Sequence, residues 1–117
     1  MIIGKDLVAA SATPLVLAIL SEGESYGYAI LKRVDDLSGG ELQWTDGMLY
    51  PVLHRLERNG LVEASWGKSE SGRRRKYYRL TDKGSDELAS QRRQWEVVNE
   101  TLRGTQFHQL QLAPGEI

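Results

Sequence analysis

A mainly helical fold carrying one β-hairpin follows from three features of the sequence. Leu49, Val52, Leu53 and Leu56 recur at i, i+3, i+4 and i+7, the spacing of a single buried helix face. After an Asn59-Gly60 stop come two runs rich in β-formers, residues 61–66 and 76–80, separated by the polar stretch 67–72. Arg73, Arg74, Arg75, Lys76 and Arg79 put five of the chain's fifteen Lys and Arg on the far side of that hairpin. A helix with one buried face and a cation-rich hairpin beside it is what a winged helix-turn-helix needs to grip duplex DNA. The periodic stretch beyond residue 81 adds a C-terminal dimerisation helix.

The central helix has a polar side as well. Thr45 is placed to cap its first turn. Tyr50, His54 and Arg58 then follow at spacings of four, with Gly47 one turn earlier and Arg55 at the flank. Hydrogen-bonding tips in such a stripe suit phosphates and base edges in a major groove, although a solvated helix face has the same look. The charge distribution favours the first reading. The net charge is only −1, yet residues 54–79 hold eight cations against three anions, and the rest of the chain holds seven against thirteen. Tyr50, His54 and Arg55 are therefore expected at the major groove, with Thr45 and Gly47 against the backbone. Tyr26 and Lys32 of the preceding helix are further candidates for phosphate. Arg74, Arg75 and Lys76 are expected to act through phosphates or the minor groove. Strand alternation sends Arg75, Tyr77 and Arg79 to one face and Lys76, Tyr78 and Leu80 to the other, so these cations cannot all serve equally.

Around this centre the elements fall in order. The apolar run 7–20 could be mistaken for an export signal, but its 14 residues are too few to span a bilayer and Pro14 interrupts it. It reads as buried helix, with Thr13-Pro14 opening a helix over 14–21 behind a short leading helix or bend. Ser25 caps a helix over 26–38 whose apolar positions are Ile30, Leu31, Val34 and Leu37. Gly39-Gly40 ends it, and Leu42 and Trp44 suit a short strand. Thr81 and Asp82 open the last helix. Leu88, Trp95, Val98 and Leu102 follow at offsets 0, 7, 10 and 14, a narrow seam of the kind that pairs with a second helix, and Gly104 closes it. The expected division is a DNA-binding unit with its N-terminal helix over 1–80, a dimerisation helix over 81–104 and a flexible tail over 105–117.

The run MLYPVLHRLERNGLV, the following Trp66 and the stretch GRRRKYYRLTDKG resemble the PadR family of transcriptional regulators, as does GESYGYAIL upstream. The resemblance covers roughly residues 11–84. It implies a winged-helix repressor that binds double-stranded DNA as a homodimer through its last helix, often released by a small molecule. Trp95 matches the tryptophan that sandwiches flat aromatic molecules in the short, multidrug-binding, LmrR-like subgroup. By that likeness Leu7, Ala10, Thr13 and Asn99 would complete an effector pocket. Asn99 stands where an acidic residue attracts cationic drugs, and Arg92 where an aromatic extends the wall, so a neutral or anionic aromatic is the expected effector. The plain alternative for Trp95 is packing at the dimer seam.

Other chemistries are excluded on spacing. Gly67-Lys68-Ser69 lacks the first glycine of a phosphate-binding loop, since Val62 stands there. His54 and His108 are half the chain apart without spaced carboxylates, so neither a metal nor a cofactor is expected. No Ser/His/Asp arrangement can be argued, and the chain is not read as an enzyme. Zero cysteines suit the reducing cytoplasm. A winged-helix module that binds proteins instead of DNA is the competing reading, and four consecutive cations on the hairpin weigh against it.

Overall fold

The computed structural model describes the backbone of residues 1–111 and the side chains of residues 1–105. Among these, seven elements follow in order: α1 (Lys5–Ser21), β1 (Ser25–Tyr26), α2 (Gly27–Leu37), α3 (Asp46–Arg58), β2 (Val62–Lys68), β3 (Arg74–Leu80) and α4 (Asp82–Gln111). This is the mainly helical winged fold expected from the sequence. The hairpin is wider than expected, and it gains a third strand: the sheet order is β1-β3-β2, with Ser25 opposite Tyr78 and Tyr26 opposite Tyr77.

Local chemistry explains where the elements begin and end. Thr45 caps α3 as expected, its Oγ1 accepting from the Met48 amide at 3.3 Å. At the other end Gly60 alone takes the left-handed conformation (φ +75°), while Asn59 stays at φ −85°. The Gly60 amide donates to Glu57 O and the Leu61 amide to Leu56 O, which closes the helix as a Schellman turn. Leu49, Val52, Leu53 and Leu56 are all buried, so the apolar stripe is the core face. It meets Val16, Leu17 and Leu20 of α1, Ile30 and Val34 of α2, and Val62 and Tyr78 of the sheet.

Several expectations are corrected. Pro14 does not start a helix; α1 runs through it from Lys5. A mid-helix proline costs about 3 kcal/mol. Burying Val16, Leu17, Ile19 and Leu20 at about 1.5–3 kcal/mol each outweighs that, and Val8 and Ala12 pack on the near side of the proline. Thr13 is accordingly not a cap. Ser25 caps nothing either, because it lies in β1, and Leu42 and Trp44 lie in irregular backbone. Leu37, at the end of α2, is 56% exposed and outside the core. Gly104 does not end α4, which continues to Gln111; the expected tail is therefore helical over 105–111, and residues 112–117 lie outside those described.

The start of α4 is locked against the end of α3. Thr81 Oγ1 donates to Gly60 O at 2.7 Å and accepts from the Gly84 amide at 3.0 Å, while the Thr81 amide donates to Leu61 O at 3.1 Å. Lys83 Nζ donates to Asn59 O at 2.8 Å. Gly84 packs so tightly that a Cβ there would lie 2.1 Å from Leu61 O and 2.7 Å from Leu80 Cδ1. From this anchor α4 passes across α1 and then leaves the body. The radius of gyration is 17.9 Å, whereas about 13 Å suffices for a compact chain of this length.

Gly84 and Gly104 make a matched test of that anchor. Gly84→Ala must push the α3–β2 turn away and should cost about 1–3 kcal/mol. Gly104→Ala meets nothing within 4 Å in an exposed stretch of helix and should gain about 0.4–1 kcal/mol. Urea unfolding at matched protein concentration measures both, and equal effects at the two positions would refute a tight joint.

Candidate nucleic-acid interface

Two walls face each other across a recess of about 430 Å³. The helical wall is the polar side of α3. Tyr50 is 39% exposed, and its ring centroid lies 6.3 Å from that of His54 one turn on. Tyr50 also lies close over the start of α2, where a Cβ on Gly27 would come within 2.5 Å of its hydroxyl. Thr45 and Gly47 sit exposed at the N-terminal end of the same helix, where unpaired backbone N–H groups favour anions. A side chain on Gly47 would meet only Thr45 Oγ1, at 3.9 Å, so this surface is open to close approach from outside.

The hairpin forms the other wall, and its register sorts the cations. Val62, Ala64, Trp66 and Lys68 lie opposite Leu80, Tyr78, Lys76 and Arg74 respectively. Val62 and Tyr78 enter the core, which fixes this set as the face turned towards α3. Lys76 is partnered within the chain, with Nζ 3.6 Å from Glu57 Oε1 and 5.4 Å from the Tyr78 ring centroid. Arg79, on the opposite face, is bonded to Glu63. The Arg75 guanidinium covers the Tyr26 ring at 3.8 Å, and Tyr26 meets Tyr77 edge-on at 5.7 Å. Arg74 stacks on Trp66 at 4.5 Å. Among the described residues, Arg73, Arg74 and Arg75 are within salt-bridge distance of no carboxylate. Burial raises the Tyr78 hydroxyl above its ordinary pKa, partly offset by Lys76, so it is neutral at physiological pH.

Of the residues singled out from sequence, Tyr26, Tyr50, His54, Arg74, Arg75 and Lys76 line this one recess. Lys32 lies on α2, within 3.8 Å of Asp36. Arg55 turns the other way, its Nη2 donating to Thr13 Oγ1 at 2.9 Å. Two residues expected at separate sites are thus bonded to each other, and the bond ties α3 to α1. Trp66 was missed, although the alternation that places Val62 and Ala64 inward also carries it to the same face.

A second recess, about 380 Å³, lies between α1 and α4 and is almost wholly apolar. Leu7, Leu15, Leu42, Leu88 and Trp95 give its walls, and Arg92 stands at its edge. On α1 the lining stripe is Leu7, Ser11 and Pro14, at i, i+4 and i+7. Ala10 and Thr13 fall on the neighbouring stripe of α1 and are not among the residues lining this recess. Asn99 belongs to an adjoining recess of about 530 Å³ that shares Leu7, Arg92 and Trp95 and continues to Val98 and Leu102. Leu88 is 6% exposed and sits in the chain's own core, while Val98 and Leu102 remain 59% and 69% exposed.

Comparison with known proteins places this arrangement. Residues 16–90 match the model of the transcriptional regulator PadR-like family. A protein of Lysinibacillus sphaericus is 30% identical over 97 residues, covering 83% of this chain and 89% of the relative. The transcriptional regulator Rv3488 of Mycobacterium tuberculosis is 38% identical over 73 residues, 62% of this chain and 67% of that protein. The transcriptional regulator YqjI of Escherichia coli is 30% identical over 89 residues, 76% of this chain, but the match spans only 41% of that longer protein. Among solved structures, a transcriptional regulator from Clostridium thermocellum superposes with a TM-score of 0.80 at 29% identity, covering 88% of this chain and 97% of that one. A PadR family transcription regulator from Clostridium difficile gives 0.73 at 30% identity, covering 81% and 97%. With the fold, the polar helix face and the basic hairpin all in place, the chain belongs to the PadR-like family of transcriptional regulators, a family of regulators and not of enzymes.

Proposed function

We propose that the chain is a cytoplasmic repressor that binds an inverted-repeat operator as a homodimer and is released by a small aromatic effector. The observation that carries DNA binding is the recess between α3 and the hairpin, where arginines with no carboxylate partner among the described residues face exposed hydrogen-bonding side chains. A protein-binding wing has no use for such uncompensated charge. In this reading Tyr50 and His54 enter the major groove, and Thr45 and Gly47 meet the backbone beside them. Tyr26 and Lys32 offer further backbone contacts, and Arg74 and Arg75 carry the wing. Lys76 serves as a brace, holding the hairpin to α3 through Glu57. Arg55 braces α3 to α1 and supports the groove from behind.

The exposed stretch of α4 supports pairing. Val97, Val98 and Leu102 are 62%, 59% and 69% exposed, with Trp95 beside them, on a helix about 45 Å long. A second copy laid against this surface by a two-fold axis would cover it and set two α3 helices about 34 Å apart, one turn of duplex. The recess beside Trp95 supports an effector. Its apolar walls and flat indole suit a planar aromatic, and Arg92, within salt-bridge distance of no carboxylate among the described residues, favours a neutral or anionic one.

Titrating duplex against salt tests the groove. Operator can be obtained by selection from a pool of random 40-bp duplexes, a length chosen to hold about two half-sites one turn apart. Arg74→Ala and Arg75→Ala should each flatten the log–log salt dependence by about 0.9. Lys76→Ala should weaken binding with the slope kept, and a slope unchanged in both arginine variants would refute the wing assignment.

Light scattering and circular dichroism test the dimer together. Val98→Asp with Leu102→Asp should give a folded monomer, since neither side chain is in the chain's own core. Leu88→Asp should unfold the chain, because an unpaired carboxylate there costs several kcal/mol. A dimer persisting in the Val98/Leu102 variant would place the interface elsewhere.

The effector recess is read through Trp95 in a variant with Trp44 and Trp66 replaced by Phe. Saturable quenching by ferulic acid or riboflavin, with release of operator by the wild-type chain at the same concentrations, is the expected result. Quenching by neither, in a folded dimer, would leave Trp95 a packing residue.

A further inference from the structure

Trp66 is the largest side chain on the hairpin that the core does not use. Its strand carries Val62 and Ala64 inward, and the next inward position places the indole beyond the edge of the core, 59% exposed. Arg74 lies one step further along the same face of β3, opposite Lys68 at the last paired position before the hairpin loop. Its guanidinium carbon sits 4.5 Å above the indole centroid. Of the other cations on β3, Lys76 meets Glu57 and Arg79 meets Glu63, while Arg75 covers Tyr26 one residue nearer the core. Arg74 and Arg75 are thus both held by an aromatic face, and Arg74, at the last paired position, is the one nearer the distal end of the wing.

We propose that Trp66 and Arg74 together form a minor-groove probe that makes the operator's flanks A·T-specific. The proposal rests on the DNA-binding reading above and goes beyond it, from a charge that neutralises phosphate to a pair that discriminates sequence. Three physical points carry it. A guanidinium stacked by its face keeps its edge N–H groups free, and its weak hydration makes it easier to desolvate than an ammonium. Minor grooves of A·T tracts are narrow, with a deepened negative potential that draws arginine. Their floor shows only adenine N3 and thymine O2 acceptors, whereas guanine adds an N2 amino donor that opposes a donor-only side chain. An indole beneath the guanidinium limits its rotamers, so the edge arrives already oriented.

The test uses the inverted repeat selected from random duplexes, prepared with A·T or G·C pairs in the flanks and bound at one salt concentration. Wild type should prefer A·T flanks by on the order of tenfold. Arg74→Lys keeps the charge and should keep the salt slope, but should bring the flank ratio close to one. Trp66→Ala should do the same, and Trp66→Phe should retain an intermediate ratio because a smaller ring still stacks. Circular dichroism confirms the fold of each variant, as expected for exposed positions. Flank ratios that stay at the wild-type value in Arg74→Lys and Trp66→Ala, or a wild type indifferent to its flanks, would overturn the proposal while leaving DNA binding intact. Failure of the wild-type chain to enrich any duplex would overturn the DNA-binding reading and the probe with it.

Discussion

The contact on which the arrangement depends is a backbone one: the Leu61 carbonyl pressed into the place where any residue but glycine at 84 would carry a Cβ. Hydrogen bonds from α4's first turn to Asn59, Gly60 and Leu61 accompany it. Those same residues form the turn that ends α3. The last turn of the recognition helix and the first turn of α4 therefore share one hydrogen-bonded joint. A flexible linker there would let α4 swing; a joint this tight sets the angle at which α4 departs. In the proposed homodimer that angle decides the spacing of the two recognition helices, so half-site spacing is written at a glycine far from any DNA contact.

Charge is handled with similar economy. A chain of net charge −1 presents a basic groove because its cations are concentrated over residues 54–79, which hold eight cations against three anions. Glu57 and Glu63 each hold one wing cation, and Glu22 takes Arg33 in a two-pronged pair at the surface. That last pairing lowers the pKa of the Glu22 carboxyl through its hydrogen bonds to Arg33, but both groups lie at the surface and the pair contributes little to stability. No carboxylate among the described residues lies within salt-bridge distance of Arg73, Arg74 or Arg75. Aromatic faces of Trp66 and Tyr26 hold two of them, which orients the cation without neutralising it.

Much of this was legible in the sequence, and the misses have physical causes. The stripe Leu49, Val52, Leu53 and Leu56 identified the core face of α3 because a buried helix face must repeat near 3.6. The cation-rich run identified the wing because a single sheet face cannot bury five charges. Pro14 misled because its local cost is real but small beside the burial on either side of it. A two-residue strand such as β1 carries too little pattern to see; it exists because Tyr26 finds Tyr77 across the sheet. Gly104 misled because glycine alone does not stop a helix without a left-handed turn after it. At the candidate site, the phase of α1 was not legible: Leu7, Ser11 and Pro14 line the recess, and Ala10 and Thr13 fall on the neighbouring stripe. Adjacent residues point about 100° apart, and only the packed position of α4 shows which stripe of α1 faces it.

The same phase gives Thr13 a different importance. It receives Arg55 from the recognition helix, while the neighbouring stripe of α1 walls the recess beside Trp95. The opposite wall of that recess is α4, which is locked to the end of α3 through Thr81, Lys83 and Gly84. Thus α3 is held from two directions by the two helices between which the proposed effector would sit. A guest that parts α1 from α4 cannot leave both attachments unstrained. Either the Arg55–Thr13 bond lengthens or the joint at Leu61 turns, and each displaces the helix that carries Tyr50 and His54. Packed contacts of this kind shift between discrete arrangements instead of deforming smoothly. In the proposed regulator, release of DNA then needs no contact between effector and groove, only a differential affinity of the effector for the parted arrangement.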